Sequence, residues 1–202
     1  MPGRNLSCMA VNQRSASPWA RNPRVRIGAV IAVALLVGFV VWLLVRGGGS
    51  GSSTESTATG PAVGPVAASQ GRLRSLSIDE GHPIYWVGPT ANTTYELTRT
   101  SSGRIFIRYL PNGVPVGIDK ADYTIVGTYP VPNATGVLQG LAKKSGEQQL
   151  SVPGGGIAVY STSQPTNVYV AYPGSNLQVE VFDPSADRAR RIVTSGQVVP
   201  VH

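Results

Sequence analysis

The chain has 202 residues, one cysteine and a formal net charge of +7, so its length suits one domain with extensions and its single cysteine excludes an internal disulfide. The charge is unevenly distributed. Residues 1–46 hold six of the 17 basic residues and none of the 10 acidic ones, which leaves residues 47–202 with a net charge of +1. This near-neutral balance argues against nucleic acid as a partner of the larger part.

The N-terminal residues 1–26 form a predicted basic tail. Cys8 lies ahead of the apolar segment that follows, whereas a lipoprotein acylation site comes after one, so we interpret it as a free cytoplasmic thiol. Met9 is an alternative start to Met1. The excess of arginine over lysine, 14 to 3, is typical of GC-rich bacterial genomes.

Residues 27–45, IGAVIAVALLVGFVVWLLV, contain no charged or strongly polar side chain. As a helix, these 19 residues would extend about 28 Å, close to the hydrocarbon thickness of about 30 Å. Arg24 and Arg26 precede the segment and only Arg46 follows it, which predicts a cytoplasmic N-terminus. The sequence therefore predicts a single-pass plasma-membrane protein that contacts the lipid bilayer through this segment.

A cleavable signal peptide is the alternative interpretation of the same segment. Signal peptides have an apolar core of about 7–15 residues followed by a cleavage site with small residues. This apolar run is longer and ends at Arg46-Gly47-Gly48, which favours a retained anchor.

The rest of the chain divides into a linker and a domain. Residues 46–69 are rich in Gly, Ser, Thr and Pro and predict a flexible linker. Residues 70–202 are long enough for one globular extracytoplasmic domain.

A β-hairpin is predicted for residues 94–110, where polar and apolar residues alternate. A loop at 101–103 places Leu97 opposite Ile107 on one face, and Glu96 opposite Arg108 on the other. We expect the first pair to be buried and the second to be exposed to solvent.

The remaining pattern predicts more strands and two or three helices. One helix is capped by Asn133 and covers about 134–144, another is capped by Asp183 with Pro184 at its first position, and a shorter one covers 70–79. Further strands are predicted at 84–87, 123–128, 149–152, 157–161, 168–172 and 177–182.

The order of these elements predicts an α+β fold with an antiparallel sheet. A duplicated ββββα unit is one interpretation of that order. Its first copy would begin with strand 84–87 and its second with 149–152, and both C-terminal helices would pack on one face. Chance similarity between strands that end in proline is the alternative.

Few residues suggest chemistry. Asp79, Glu80 and His82 are the one grouping that could serve a hydrolase or transferase, but their spacing matches no metal site, and His82 is also explained as a helix-ending residue. No nucleophile, phosphate-loop or metal motif occurs, so we predict no catalytic residue, no metal and no cofactor.

All eight tyrosines lie in the predicted domain. Tyrosine in strands usually serves packing, but Tyr85, Trp86 and Tyr109 are the candidate ligand contacts. The leading hypothesis is a non-enzymatic interaction module anchored in a bacterial envelope, whose partner is an envelope protein or a wall polymer. The alternative is an envelope hydrolase or transferase acting through Asp79, Glu80 and His82.

Overall fold

A computed structural model describes residues 62–202. The predicted basic tail, the predicted membrane span at 27–45 and most of the predicted linker lie outside these residues. Within 62–202, no helix combines the length and the apolar character that a membrane crossing needs.

Ten strands and three helices make up this part of the chain. The strands are β1 (Val63–Ala68), β2 (Tyr85–Trp86), β3 (Thr93–Arg99), β4 (Ile105–Pro111), β5 (Ile125–Pro130), β6 (Glu147–Val152), β7 (Gly156–Ser161), β8 (Gln164–Ala171), β9 (Leu177–Phe182) and β10 (Val199–Pro200). The helices are α1 (Gln70–Asp79), α2 (Ala134–Leu141) and α3 (Ala186–Thr194).

Eight of the strands form one antiparallel sheet in the order β1-β3-β4-β5-β9-β8-β7-β6. β2 pairs only with β10, in a separate two-stranded sheet. The predicted α+β class, with a mostly antiparallel sheet and three helices, is therefore confirmed. The main sheet has two edges within the described residues, β1 at one side and β6 at the other.

One face of the main sheet, the core face, carries the hydrophobic core. Helices α1 and α3 pack against it, the first through Leu73 and Leu76 and the second through Ile192 and Val193. The core-face side chains from the central strands are aliphatic: Leu97, Ile107, Val126, Val168, Val170, Val179 and Val181. Their alternation along each strand is what the sequence pattern predicted.

The opposite face, called here the polar face, is covered by α2 and by the loop 112–124. α2 packs on β7, β8 and β9, and its buried residues Ala134 and Leu138 do not belong to the core under α3. The expectation that the two predicted helices share one face is therefore wrong. Both helices contact β8, and they do so from opposite sides of the sheet.

The hairpin register is confirmed, because Leu97 lies opposite Ile107 and Glu96 lies opposite Arg108. Leu97 and Ile107 are buried as expected. The exposure predicted for the charged pair is wrong, since Glu96 keeps only 5% of its surface exposed. The reason is the 112–124 loop, which folds back over the pair.

Two boundaries differ from the sequence-based expectation. Residues 63–68, predicted to be linker, form β1 because they pair with β3. The cap of α3 is Ser185, whose hydroxyl accepts a hydrogen bond from Arg188 N, whereas the predicted cap Asp183 lies two residues earlier. The predicted cap Asn133 and the predicted helix at 70–79 are confirmed.

Candidate functional site

The three aromatic residues predicted to contact a ligand lie in or beside the core. Tyr85, Trp86 and Tyr109 expose 8%, 3% and 8% of their surfaces. Tyr85 stacks on Tyr172 with ring centroids 5.4 Å apart, and the Tyr109 hydroxyl accepts a hydrogen bond from Val87 N at 2.8 Å. The structure thus brings them together as packing residues, while their role toward a ligand stays a prediction.

The second predicted grouping, Asp79, Glu80 and His82, does not converge. Glu80 accepts two hydrogen bonds from Arg99, at 2.6 and 3.2 Å, and both side chains are buried. Asp79 is exposed, and His82 Nδ1 lies 3.2 Å from the Pro83 carbonyl oxygen. Within residues 62–202, no three His, Cys, Asp or Glu side chains come together as a possible metal site.

The buried Glu96–Arg108 pair on the polar face holds the 112–124 loop. Arg108 Nη2 donates to Glu96 Oε2 at 2.8 Å, and Gly117 N donates to the same oxygen at 2.6 Å. Arg108 Nη1 donates to the carbonyl oxygens of Ile118 and Lys120. The loop therefore engages Glu96 Oε2 and Arg108 Nη1, which gives the pair a structural role. The buried Arg108 Nε has no hydrogen-bond partner among the described residues.

A buried cluster around the carboxylate of Glu180 lies on the polar face, where the neighbouring strands β5, β9 and β8 contribute its residues. The Tyr129 hydroxyl donates to Glu180 Oε2, and Asn167 Nδ2 donates to Glu180 Oε1 at 2.5 Å. Tyr169 lies directly opposite Glu180 on β8, but its buried hydroxyl meets no partner with the geometry of a hydrogen bond. A Cβ at Gly127 would lie 2.7 Å from the Tyr129 hydroxyl, so glycine there makes room for the tyrosine.

Burial dominates the electrostatics of this cluster. It raises the pKa of the Glu180 carboxyl above its ordinary value of 4.5, although hydrogen bonds from Tyr129 and Asn167 oppose the shift. Burial and the nearby Glu180 charge also raise the pKa of both tyrosine hydroxyls. Both tyrosines therefore stay protonated at physiological pH, and Tyr129 donates a hydrogen bond to Glu180.

The raised pKa of Glu180 predicts a pH-dependent stability. Because the folded pKa exceeds the unfolded one, the contribution of Glu180 is fully present below 4.5 and is lost as the pH rises through the raised value. Glu180→Gln cannot ionise, so its free energy of unfolding should improve relative to that of wild type as the pH rises from 4.5 toward neutrality. Urea unfolding of both proteins across this range measures the difference, and parallel stability curves would contradict the prediction.

The β6 edge differs from these internal contacts because its backbone faces solvent. β6 pairs with β7 in an unbroken register from Glu147 to Val152 and has no strand on its other side within the described residues. Thr162 N donates to the Gly146 carbonyl oxygen, which continues this register. Gly146 and Thr162 therefore form a hydrogen-bonded pair, and such pairs alternate with non-hydrogen-bonded pairs along an antiparallel ladder. Gln149 and Ser151 fall in the non-hydrogen-bonded pairs, so their N–H and C=O groups point away from β7.

A shallow groove of about 630 Å³ lies beside this edge, between α2 and the β6–β7 hairpin. Gln139 and Lys143 line it from the helix, and Gln149 lines it from the edge strand. Gly155, Gly156 and Pro173 close one side without large polar groups. Ala142 and Ile157 also line the groove, so its surface is open and of mixed polar and apolar character.

The β1 edge, at the other side of the sheet, is protected. Pro65 lacks a backbone N–H, and the pairing with β3 shifts register between Val63 and Val66. Proline and bulges are the usual means by which exposed edges avoid pairing with other chains. β6 contains no proline, no lysine and no bulge, so it lacks the features that block the β1 edge.

Comparisons of the chain with protein-family models, with curated proteins and with solved structures gave no match.

The β6 edge was missed by reasoning from the sequence, which predicted a strand there but not its place in the sheet. The absence of proline and lysine from 147–152 was visible, but strand order depends on contacts between distant residues. Glu180 was likewise predicted to point outward, whereas it is buried beside Tyr129, Asn167 and Tyr169.

Proposed function

We propose that the protein is a membrane-anchored interaction module of a bacterial envelope, whose domain binds a partner chain by adding a strand to the β6 edge. The proposal joins two parts. The first is the anchor at 27–45 with its cytoplasmic basic tail, which is supported by the sequence alone. The second is the binding surface, which is supported by the geometry of the sheet.

The observation that carries the proposal is the contrast between the two sheet edges. An exposed edge strand is a template for another strand, and proteins usually block it. Within residues 62–202, β1 is blocked and β6 has no strand beside it over its whole length. Strand addition draws its affinity from main-chain hydrogen bonds, which the outward groups of Gln149 and Ser151 can supply.

The alternative, an envelope hydrolase or transferase, has less support among the described residues. Its carboxylate Glu80 is engaged by Arg99, and Asp79 and His82 do not join it. The other buried carboxylates are held by internal donors, Glu96 by Arg108, Glu180 by Tyr129 and Asp183 by Thr124. These contacts favour roles in stability over roles in a reaction.

A photo-crosslinking amino acid tests the binding surface in living cells. With the full chain carrying it at Gln149, we expect a discrete crosslinked product in the membrane fraction, because that side chain lies on the open edge. The matched control carries the same group at Asp187, which is exposed on α3. A crosslinked product in the soluble fraction would contradict the proposed membrane anchor. Equal crosslinking yields at both positions would contradict the proposed binding surface at β6.

For the strands alone, we also propose a duplicated four-strand unit. The order β1-β3-β4-β5 is mirrored by β6-β7-β8-β9, and the two units meet at the antiparallel β5–β9 pair. The first strand of the first unit is then β1 and not the predicted strand at 84–87, since β2 lies outside the main sheet. Helices α2 and α3 are not equivalent in this arrangement, because they pack on opposite faces.

A further inference from the structure

The β6 edge has an internal symmetry in its side chains. Glu147, Gln149 and Ser151 are the residues whose backbone N–H and C=O groups point away from β7, and Gln149 is the middle one. If two such strands pair antiparallel about a two-fold axis at Gln149, each Glu147 lies opposite Ser151 of the other copy. No like charges then oppose each other, and the uncharged Gln149 meets its own counterpart.

From this pattern we propose that the partner at the β6 edge is β6 of a second copy, so that two domains form one continuous sheet. The inference rests on the proposed function and names its partner. The pairing is isologous, because the same surface is used on both copies. It would exchange main-chain hydrogen bonds between the outward groups of the two strands.

The blocked β1 edge makes this association stop at two copies. A sheet with two open edges would continue to add copies and form a filament. In this chain the edge left outside after β6 pairing is β1, with Pro65 and its register shift. The asymmetry between the edges is therefore what a closed dimer needs.

The groove beside β6 favours a second copy over an unrelated extended peptide. Strand-adding peptides are selected by pockets that receive alternate side chains. This groove is open, and its lining mixes the polar Gln139, Lys143 and Gln149 with small or apolar residues, so it has no series of distinct pockets to select a peptide's side chains. A second copy brings a strand of matched length, and its β6–β7 turn contains only Pro153 and glycines, which need little space.

A single cysteine on the proposed axis tests this directly. The full chain with Cys8→Ser has no other cysteine, so Gln149→Cys becomes its one thiol. In a hydrogen-bonded antiparallel pair the facing Cα atoms are about 5.5 Å apart, within the range of about 4.4–6.8 Å for disulfides. Mild oxidation of membranes should then give a product of about twice the 21.1 kDa chain on a non-reducing gel.

Two further variants test whether dimer formation depends on the β6 edge and on its main-chain hydrogen bonds. Val66→Cys places the thiol on the blocked edge, where the side chain is 40% exposed, and should stay monomeric. Adding Ser151→Pro to Gln149→Cys removes an outward donor from each copy while leaving the bonds to β7, and should lower the dimer yield by about tenfold.

The outcomes separate this inference from the proposed function. A Gln149→Cys chain that stays monomeric although its thiol reacts with maleimide overturns the self-pairing. If the photo-crosslinker at Gln149 then yields a product with a different protein, strand addition survives with another partner. If it yields no product, both proposals fail. Equal dimer yields from Gln149→Cys and Val66→Cys would also overturn the self-pairing, because they would reflect random collision.

Discussion

Glu96→Ala is expected to destabilise the domain by about 3–5 kcal/mol, the usual effect of removing one partner from a buried ion pair. The substitution would leave the Arg108 guanidinium, which is 13% exposed, without its counter-charge. It would also leave Gly117 N without its acceptor in the 112–124 loop. The change in free energy of unfolding by urea denaturation measures the effect.

An exposed ion pair provides the control for Glu96. Asp187 pairs with Arg190 on the surface of α3, where the aspartate side chain is 80% exposed. Asp187→Ala should change the free energy of unfolding by less than about 1 kcal/mol, because solvent screens exposed pairs. A Glu96→Ala variant as mild as the control would show that the 112–124 loop does not bury the pair in solution.

Leu97→Ala is the second substitution with a large expected effect, about 2–5 kcal/mol. The Leu97 side chain is 1% exposed on the core face, opposite the fully buried Ile107. Truncation removes buried methyl groups and leaves a cavity that the surrounding strands cannot fully close. Thermal or urea unfolding would report the loss, which is a large share of a typical stability of about 5–15 kcal/mol.

Ile78 on α1 gives the matched aliphatic control, since it is 71% exposed. Ile78→Ala should alter stability by about 0.5 kcal/mol or less, as surface substitutions generally do. Similar losses from Leu97→Ala and Ile78→Ala would contradict the assignment of the core face.

Local features of this fold were predictable because they depend on residues close in the chain. The hairpin register follows from a short loop and a period of two, and pairs Leu97 with Ile107 as expected. The Asn133 cap and the helix at 70–79 follow from capping chemistry and helical periodicity. The Asp183 cap was wrong because Ser185, two residues later, also suits the position and was the residue used.

Burial of polar side chains was not predictable in the same way. Alternation assigned Glu96 and Glu180 to a face opposite the aliphatic residues, and the structure agrees with that assignment. It could not show that loop 112–124 would cover Glu96, or that Tyr129 and Asn167 would surround Glu180. A side chain's exposure depends on what packs above it, and those elements are set by contacts between distant parts of the chain.

Local geometry and side-chain alternation were enough to predict the α+β class, the hairpin pairing and the apolar pattern of the core. The strand order, the opposite placement of α2 and α3, and the identity of the open edge depend on contacts between distant residues and were found only in the folded chain. An edge is defined by a missing neighbour. Which strand lacks one is fixed by the whole sheet, so the surface proposed for binding became visible only when all eight strands were in place.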